Sequence, residues 1–394
     1  MTKGNVEIRQ IAVKDIYRFA CEAFRCELGA GEVNPIPKSR ASAWSQNPNA
    51  DPDDPAMLAA YINGVCVGYI GLMPVILSHA AEREKVFCLS TWFVSPASRG
   101  SGAGALLLTR AMSLHENLFS IAPTPEAEEL YRAIRFKELG PMRHFMLYLG
   151  ALNVLGLPFD ILKRVLARRG LSVRSVEIAS RIFRRILYPA FRLAAYRMIR
   201  APFAKFLCDT TYSEVDRIDE TLFNADDSAA PGSARFFRGS DAINWMLRAP
   251  WILEDTTQAT PGYEFSDVRP RFRYIALKIT PDGGNERPGF LVLSVSTRTD
   301  GETTLKVLDY SLNCDYRHER LAAVALEYAV RFRADRVLAP RPIGDTLRIS
   351  GVARRILLKR EHRYFAYCGK RKSFFADHLG AIETGLCDGD APFI

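Results

Sequence analysis

Residues 89–108 read LSTWFVSPASRGSGAGALLL, and this stretch decides how the first half of the chain is interpreted. The apolar run that ends at Val94 predicts a buried strand, and Pro96 stops it because proline cannot donate to a sheet ladder. Glycines at positions 100, 102 and 104 then lead into an apolar segment that predicts a helix. Amides at the start of a helix are unpaired and partly positive, and glycine lets an anion approach them closely. The stretch therefore predicts a cradle for a pyrophosphate group.

The arrangement of these glycines excludes two common phosphate-binding motifs. A nucleotide triphosphate loop ends in Gly-Lys-Ser or Gly-Lys-Thr, which is absent from the stretch. A dinucleotide-binding fingerprint needs Gly-x-Gly-x-x-Gly, and the third glycine is misplaced for it. The predicted cradle must therefore serve another phosphate ligand.

Val94-x-Pro96-x-x-Arg99-Gly100-x-Gly102-x-Gly104-x-x-Leu107 resembles the acyl-CoA-binding signature of the GNAT acyltransferases, Arg/Gln-x-x-Gly-x-Gly/Ala. Downstream, residues 127–136 are similar to the second motif of that family, with Tyr131 at its tyrosine. Arg135 stands where the family usually has Gly, and Thr124 stands where an Asn is frequent. The specific resemblance covers residues 86–136, and the predicted order of strands and helices extends it across 1–150.

The resemblance implies a concrete site. Acetyl-CoA or another acyl-CoA would be the co-substrate, and backbone amides would hold its pyrophosphate at Arg99, Gly100, Ser101, Gly102, Ala103 and Gly104. Phe93 and Val94, at a splayed strand end, would bind the pantetheine arm and the acyl carbonyl through backbone groups. Tyr131 would protonate the departing thiolate, although a tyrosine here can also be a packed helix residue. No metal site is predicted, because the histidines and cysteines form no cluster with ligand spacing.

The proton acceptor for such a reaction is not evident in the sequence. Glu84 and Glu116 are candidates, and both could equally be solvated surface acids. Asp309, on the predicted central strand of the second half, could face the acceptor amine or could pair with an arginine. Cys88 and Ser90 alternate along the first central strand, and they are interpreted as core residues because no base stands beside them.

The pattern of strands and helices predicts an α/β (α+β) chain with two GNAT-like mixed-sheet domains in tandem. The predicted divisions are a GNAT domain at 1–150, a basic amphipathic helical linker at 151–204, a degenerate GNAT-like domain at 205–376 and a polar tail at 377–394. Residues 314–321 occupy the place of the Gly-rich loop in the second half but contain no glycine. Bulky side chains there would obstruct a phosphate.

Individual segments carry further expectations. Residues 13–28 read as one amphipathic helix, and residues 29–55, rich in Gly, Pro, Ser, Asn and Asp, read as a long loop. Strand-like sequence at 137–149 is expected to close the first half, and that at 363–368 to close the second. Residues 345–358 predict a single helix.

Composition limits the class of protein. The 394 residues are 48% hydrophobic and 25% charged, which is typical of globular domains and excludes a disordered or collagen-like chain. Eight cysteines without a Cys-x-x-Cys pair favour a reducing cytosol over a disulfide scaffold. The polar start predicts no signal peptide, and no apolar run reaches the roughly 18 residues of a transmembrane helix. A cytoplasmic location is expected, with peripheral attachment to the inner membrane as an alternative.

The net charge of +9 is concentrated in one segment. Residues 161–200 carry eleven basic residues against one acid, Glu177. Three interpretations stay open: a solvated helical bracket, a peripheral helix on an anionic membrane, and, less favoured, a tRNA surface. DNA is not expected as a partner.

Taken with the resemblance, these features predict an N-acyltransferase that moves an acetyl or other acyl group from acyl-CoA to a primary amine. The acceptor would be a small molecule, amino sugar or amino-acid derivative, attacking directly in a ternary complex. Similar tandem proteins are associated with bacterial polysaccharide and cell-envelope pathways. Two other functions stay open: a Fem-type aminoacyl-tRNA-dependent transferase, which the Gly-rich loop disfavours, and a non-catalytic protein that senses acyl-CoA or docks on a membrane.

Overall fold

The computed structural model describes residues 5–79, 82–134, 136–148, 194, 196–223, 234–254, 259–282, 287–369, 374–379, 382–383 and 385–390. The predicted basic linker lies almost wholly outside these residues, as does Arg135. Within the described part of the chain, no helix is long and apolar enough to cross a membrane.

The described residues contain both strands and helices in each half of the chain, which confirms the predicted α/β class. The strands of the described residues are β1 (Val6–Ala12), β2 (Pro55–Ile62), β3 (Val65–His79), β4 (Glu82–Val94), β5 (Asn117–Ile121), β6 (Lys137–Tyr148), β7 (Thr210–Val215), β8 (Ala234–Phe237), β9 (Leu253–Glu254), β10 (Val268–Arg269), β11 (Arg271–Pro281), β12 (Gly289–Thr297), β13 (Thr303–Ser311), β14 (Arg336–Pro340), β15 (Leu357–Cys368) and β16 (Ile382–Glu383). The helices are α1 (Ile16–Ala23), α2 (Lys38–Trp44), α3 (Ala103–Leu114), α4 (Pro125–Ala133), α5 (Ala204–Cys208), α6 (Ser240–Arg248), α7 (Arg317–Arg331), α8 (Arg341–Leu347), α9 (Gly351–Ile356) and α10 (Phe374–His378).

The chain forms two compact units, each assembled from separate segments. The first unit contains residues 1–142, 215–276 and 361–394, and the second contains residues 143–214 and 277–360. In the first unit β1 to β5 are neighbours in sequence order and β15 follows β5. In the second unit the order is β6, β14, β13, β12, β11 and β7. Each unit combines antiparallel and parallel pairs, and the parallel pairs include β4 with β5 in the first unit and β13 with β14 in the second.

The closing strands of the two halves are exchanged. Residues 364–368 of β15 pair antiparallel with β5 in the first unit, whereas residues 144–148 of β6 pair with β14 in the second. The expectation that 137–149 closes the first half and 363–368 the second was therefore wrong. The residue pattern of a segment predicts that it is a strand but does not specify its partner. The apolar side chains of β6 and β15 are compatible with pairing in either unit. The predicted boundaries at 150, 204 and 376 stay a prediction.

Helix α3 covers one face of the first unit's sheet. Its buried residues recur along one stripe, which is the pattern of a helix with a single apolar face. Leu107 and Leu108 are completely buried, and burial of each such side chain is worth about 2 kcal/mol. The core around them includes Leu58, Ile70, Leu72, Phe87, Leu89 and Leu118. This packing fixes the first turn of α3 against the end of β4.

Three predicted segments differ from the structure. Helix α1 ends at Ala23, and the predicted loop at 29–55 contains α2, whose Ala41 and Trp44 are buried. Turn-forming residues dominate the composition of this segment. A helix as short as α2 is stabilised by burial of its side chains and not by its own helix propensity, so the composition does not predict it. The predicted helix at 345–358 is two helices, because the Ser350 hydroxyl accepts the Ala353 amide and starts α9 anew.

Candidate active site

The Gly-rich turn forms an open cradle at the start of α3. A 3₁₀ turn at Pro96–Ser98 follows β4, and Gly102 is the residue immediately before α3. Gly100 has φ +83° and Gly102 has φ +87°, a region that favours glycine. A Cβ atom at either position would meet nothing within 4 Å, so the space next to these amides is open. Open, partly positive backbone of this kind fits a pyrophosphate, and Arg99 is exposed beside it.

Strands β4 and β5 part next to this cradle. Their parallel pairing ends at Leu89 and Ser120, although β4 continues to Val94. The β3–β4 register also shifts between Tyr69 and Gly71, and Thr91 has φ +50°. A bulge of this kind turns the strand end away from its neighbour. The half-buried backbone at Phe93 and Val94 therefore borders a wedge between the strands.

Tyr131 reaches this wedge from α4. Thr124 is the N-cap residue immediately before this helix, and its Oγ1 accepts the Ala127 amide at 3.3 Å. The Tyr131 hydroxyl donates to Ser120 Oγ at 3.3 Å, and its ring stacks on Trp92 with centroids 5.8 Å apart. Burial raises the pKa of Tyr131 well above its ordinary value. The phenol therefore carries a proton at any physiological pH.

The C-terminal segment supplies residues that the sequence did not identify. Asp390 is buried, and its carboxylate accepts a hydrogen bond from Ser90 on β4. Arg40 of α2 donates to Ser90 Oγ at 2.7 Å and to the Tyr263 hydroxyl at 2.7 Å. Cys88 Sγ lies 3.9 Å from the other Asp390 oxygen. A buried carboxylate, hydroxyl and guanidinium thus meet on the central strand.

Asp388 anchors the same segment two residues earlier. Its carboxylate accepts from Arg238 Nη1 at 2.8 Å, from the Gly385 amide at 2.5 Å and from the Tyr364 hydroxyl at 3.3 Å. Burial raises the pKa of Asp388, and the Arg238 charge opposes part of that rise. Burial likewise raises the pKa of Asp390, while the Ser90 hydrogen bond and the Arg40 charge oppose it.

The glycine between the two aspartates lets the segment lie directly on the sheet. Gly389 has φ +50°, and a Cβ atom there would lie 2.6 Å from Cys88 Sγ and 2.9 Å from Ile121 Cδ1. The sequence had suggested only a polar tail from residue 377, yet Asp388 and Asp390 are 2% and 5% exposed. The available signal was Asp-Gly-Asp, a pair of acids around a residue that permits close approach.

The other carboxylates predicted from the sequence have different surroundings. Glu84, at the start of β4, accepts from Asn117 Nδ2 and from the Phe375 amide, both at 2.6 Å. Six residues of strand separate it from Ser90, which corresponds to about 20 Å. Glu116 is exposed. Asp309 belongs to the second unit, where it accepts the Tyr310 amide at 2.9 Å.

The turn before α7 in the second unit is filled by an arginine. Tyr316 precedes α7 with φ +56°, much as Gly102 precedes α3. The buried Arg320 side chain donates to Thr210 Oγ1 at 3.0 Å, to the Asp315 carbonyl at 3.3 Å and to the Asp209 carbonyl. This turn therefore lacks the open backbone found at Gly100 and Gly102.

Comparison with known protein families gives a match that includes the Gly-rich turn before α3. Residues 13–136 match the model of the acetyltransferase (GNAT) family. This part of the chain is therefore similar to a GNAT acetyltransferase domain. Enzymes of that family use acetyl-CoA or another acyl-CoA as co-substrate, which the open glycine cradle can accommodate. No curated protein sequence matches the chain.

Solved structures with related folds include several GNAT proteins. A GCN5-related N-acetyltransferase from Anabaena variabilis is 11% identical over 93% of this chain and 73% of its own, with a TM-score of 0.44. One from Kribbella flavida is 10% identical over 92% and 71%, with a TM-score of 0.46. A tandem GNAT protein from the clavulanic acid biosynthesis pathway is 11% identical over 94% and 100%, with a TM-score of 0.44.

Proposed function

We propose that the protein is an acyl-CoA-dependent N-acyltransferase that moves an acetyl or other acyl group to a primary amine of a small molecule. One observation carries this proposal. Within a single compact unit, an open glycine cradle at the start of α3 lies next to a strand opening into which the protonated Tyr131 projects. An acyl-CoA bound there would supply an activated thioester carbonyl.

Binding would depend on backbone more than on side chains. The amides from Arg99 to Gly104 would hold the pyrophosphate, because glycines at 100 and 102 leave them uncovered. Arg99 would add a cation next to the phosphates. Phe93 and Val94 would orient the pantetheine arm through the backbone groups that border the wedge.

Tyr131 would act as the general acid. Its raised pKa keeps a proton on the hydroxyl, and Ser120 orients that hydroxyl toward the wedge. Transfer of this proton to the departing sulfur would leave a thiol instead of a thiolate. The aromatic stacking on Trp92 and Phe136 holds the ring in one position.

Asp390 would act as the general base. Burial raises the pKa of Asp390 toward that of an ammonium group, which favours proton transfer from the attacking amine. Ser90, which is itself held by Arg40, fixes the orientation of the carboxylate. In the balanced step a C–N bond forms, the C–S bond breaks, the amine proton goes to Asp390 and the Tyr131 proton goes to sulfur. The contacts of Glu84 favour a structural role linking β4 to β5 and α10.

The second half of the chain is proposed to be a degenerate GNAT-like copy that does not bind CoA. Arg320 supports this, since its side chain fills the turn that corresponds to the cradle. The cell-envelope role, the membrane surface at 161–200 and the tRNA alternative stay predictions.

Calorimetric titration with acetyl-CoA and longer acyl-CoAs tests the proposal. Gly102→Glu should abolish binding, because it places a carboxylate in the cradle. Gly64→Glu is the matched control: Gly64 has φ +80° and open surroundings, and it lies in the turn between β2 and β3. Absence of binding by the unmodified protein would contradict the proposal and favour an aminoacyl-tRNA or scaffold role.

A further inference from the structure

A cavity lies against the C-terminal segment in the first unit. The cavity is partly open to solvent. Strands β3 and β8 and helix α6 form most of its wall, and Asn49, Arg238, Cys387 and Gly389 form the rest. The cavity therefore adjoins the segment that carries Asp390.

The strand register relates this cavity to the proposed catalytic groups. Met73, which lines the cavity, pairs directly with Cys88, and Gly71 pairs directly with Ser90. Direct partners in an antiparallel pair present their side chains on the same face. The cavity thus lies on the same face of β3 and β4 as Ser90, whose hydroxyl donates to Asp390. Successive residues on one face of a strand are about 7 Å apart.

The walls of the cavity are mainly apolar. Met73, Phe236, Ile243, Trp245 and Met246 supply large side chains. The polar side chains on the wall are Asn49, Arg238 and the Trp245 indole. Trp245 Nε1 already donates to the Ala43 carbonyl at 2.7 Å, and Arg238 already pairs with Asp388 at 2.8 Å. A sugar ring buried here would lose hydrogen bonds to water and regain few, which costs about 1–3 kcal/mol for each unsatisfied group. An aromatic or aliphatic group would lose none.

We propose that the acceptor is a primary amine with a compact aromatic or aliphatic body, bound with that body in this cavity and its nitrogen toward Asp390. This inference rests on the proposed function and narrows its substrate class away from amino sugars. The nitrogen forms the C–N bond to the acyl carbonyl as the C–S bond breaks, Asp390 receives the amine proton, and the sulfur takes the Tyr131 proton.

The experiment uses phenethylamine and glucosamine as acceptor probes with the full-length protein and acetyl-CoA. Thiol release gives kcat/KM, which should favour phenethylamine by about tenfold or more. Binding of phenethylamine alone, without acetyl-CoA, is followed by the change in tryptophan fluorescence, because Trp245 lines the cavity.

Two variants on α6 test whether the preference for phenethylamine depends on the cavity. Ala242 lines the cavity and is half-buried, so Ala242→Phe should fill its mouth and raise the KM for phenethylamine by about fivefold or more with little change in kcat. Asp241→Phe places the same side chain on the exposed neighbouring position and should leave the KM unchanged. Unchanged acetyl-CoA binding by Ala242→Phe shows that the variant is folded.

The outcomes separate this inference from the function on which it rests. Preference for glucosamine, or an equal KM for phenethylamine in both variants, would overturn the acceptor class while acetyl-CoA binding and turnover persist. Loss of acetyl-CoA binding in the unmodified protein would instead overturn the acyltransferase proposal itself, and the acceptor class with it.

Discussion

The hydroxyl of Ser90 donates a hydrogen bond to the carboxylate of Asp390, 300 positions later in the chain, and both groups are buried. A buried carboxylate is stable only with such partners, so the contact fixes the C-terminal segment on the central strand. Because Ser90 follows the last residue of β4 paired to β5, the segment ends where the two strands part. The C-terminal segment at 385–390 therefore packs against the candidate site formed by residues of β4 and the start of α3.

Replacing Asp390 by asparagine should lower kcat by about 10²-fold, since a general base contributes on that order. The dissociation constant for acetyl-CoA should not change, because the cradle lies on α3. The raised pKa of Asp390 means that kcat of the unmodified enzyme falls as pH drops through that raised value, and Asp390→Asn should lose this acid limb. Steady-state kinetics from pH 5 to 8 measure both effects. Asp377→Asn, at an exposed position of α10, is the control, and an unaltered pH profile in Asp390→Asn would refute the assignment.

Replacing Tyr131 by phenylalanine should lower kcat by about 10²-fold with no change in acetyl-CoA affinity, because only the proton donor is lost. The ring and its stacking on Trp92 remain, and the lost contact to Ser120 is long at 3.3 Å, so the melting temperature should change little. Tyr367→Phe, which removes a hydroxyl from a ring packed on Phe136, is the matched control. Equal loss of activity in both variants would indicate a packing effect.

The sequence alone predicted those structural features that depend on residues close together in the chain. The cradle depends on Pro96, Arg99 and glycines within a few positions, and the helix after it has its own apolar stripe. The role proposed for Tyr131 rests on its place in a short motif and stays a prediction. Strand β6 was predicted at 137–149 and spans Lys137–Tyr148, because a strand carries its own pattern of apolar residues.

The residues that complete the site could not be predicted because they meet only in three dimensions. Arg40 contacts Ser90 across 50 positions and Tyr263 across 223. No periodicity links an acid near the end of the chain to a serine on β4. The exchange of β6 and β15 has the same origin, since pairing partners depend on the whole sheet and not on the strand's own letters.

Replacing Gly389 by alanine should displace the C-terminal segment from the sheet. The new methyl group would lie 2.6 Å from Cys88 Sγ, at a residue whose φ of +50° already disfavours a side chain. We expect kcat to fall to the level of Asp390→Asn while acetyl-CoA binding persists. Gly385→Ala is the control, because its nearest neighbour would be Asp388 Oδ1 at an ordinary 3.6 Å. Full activity in Gly389→Ala would show that the segment's placement on β4 is not needed.

The protein should lose stability between pH 6.5 and pH 4 through His115. Its ring stacks on Phe87 with centroids 3.5 Å apart, and the buried Nε2 has no hydrogen-bond partner among the described residues. Burial lowers the pKa of His115 from 6.5 to about 4. In this window the unfolded chain therefore binds a proton that the folded chain does not, so the free energy of unfolding falls as pH falls. His115→Phe should keep the stacking and reduce the drop in melting temperature between pH 7 and pH 5. If the melting temperatures of the unmodified protein and of His115→Phe fall equally between pH 7 and pH 5, His115 is not the cause of the loss of stability.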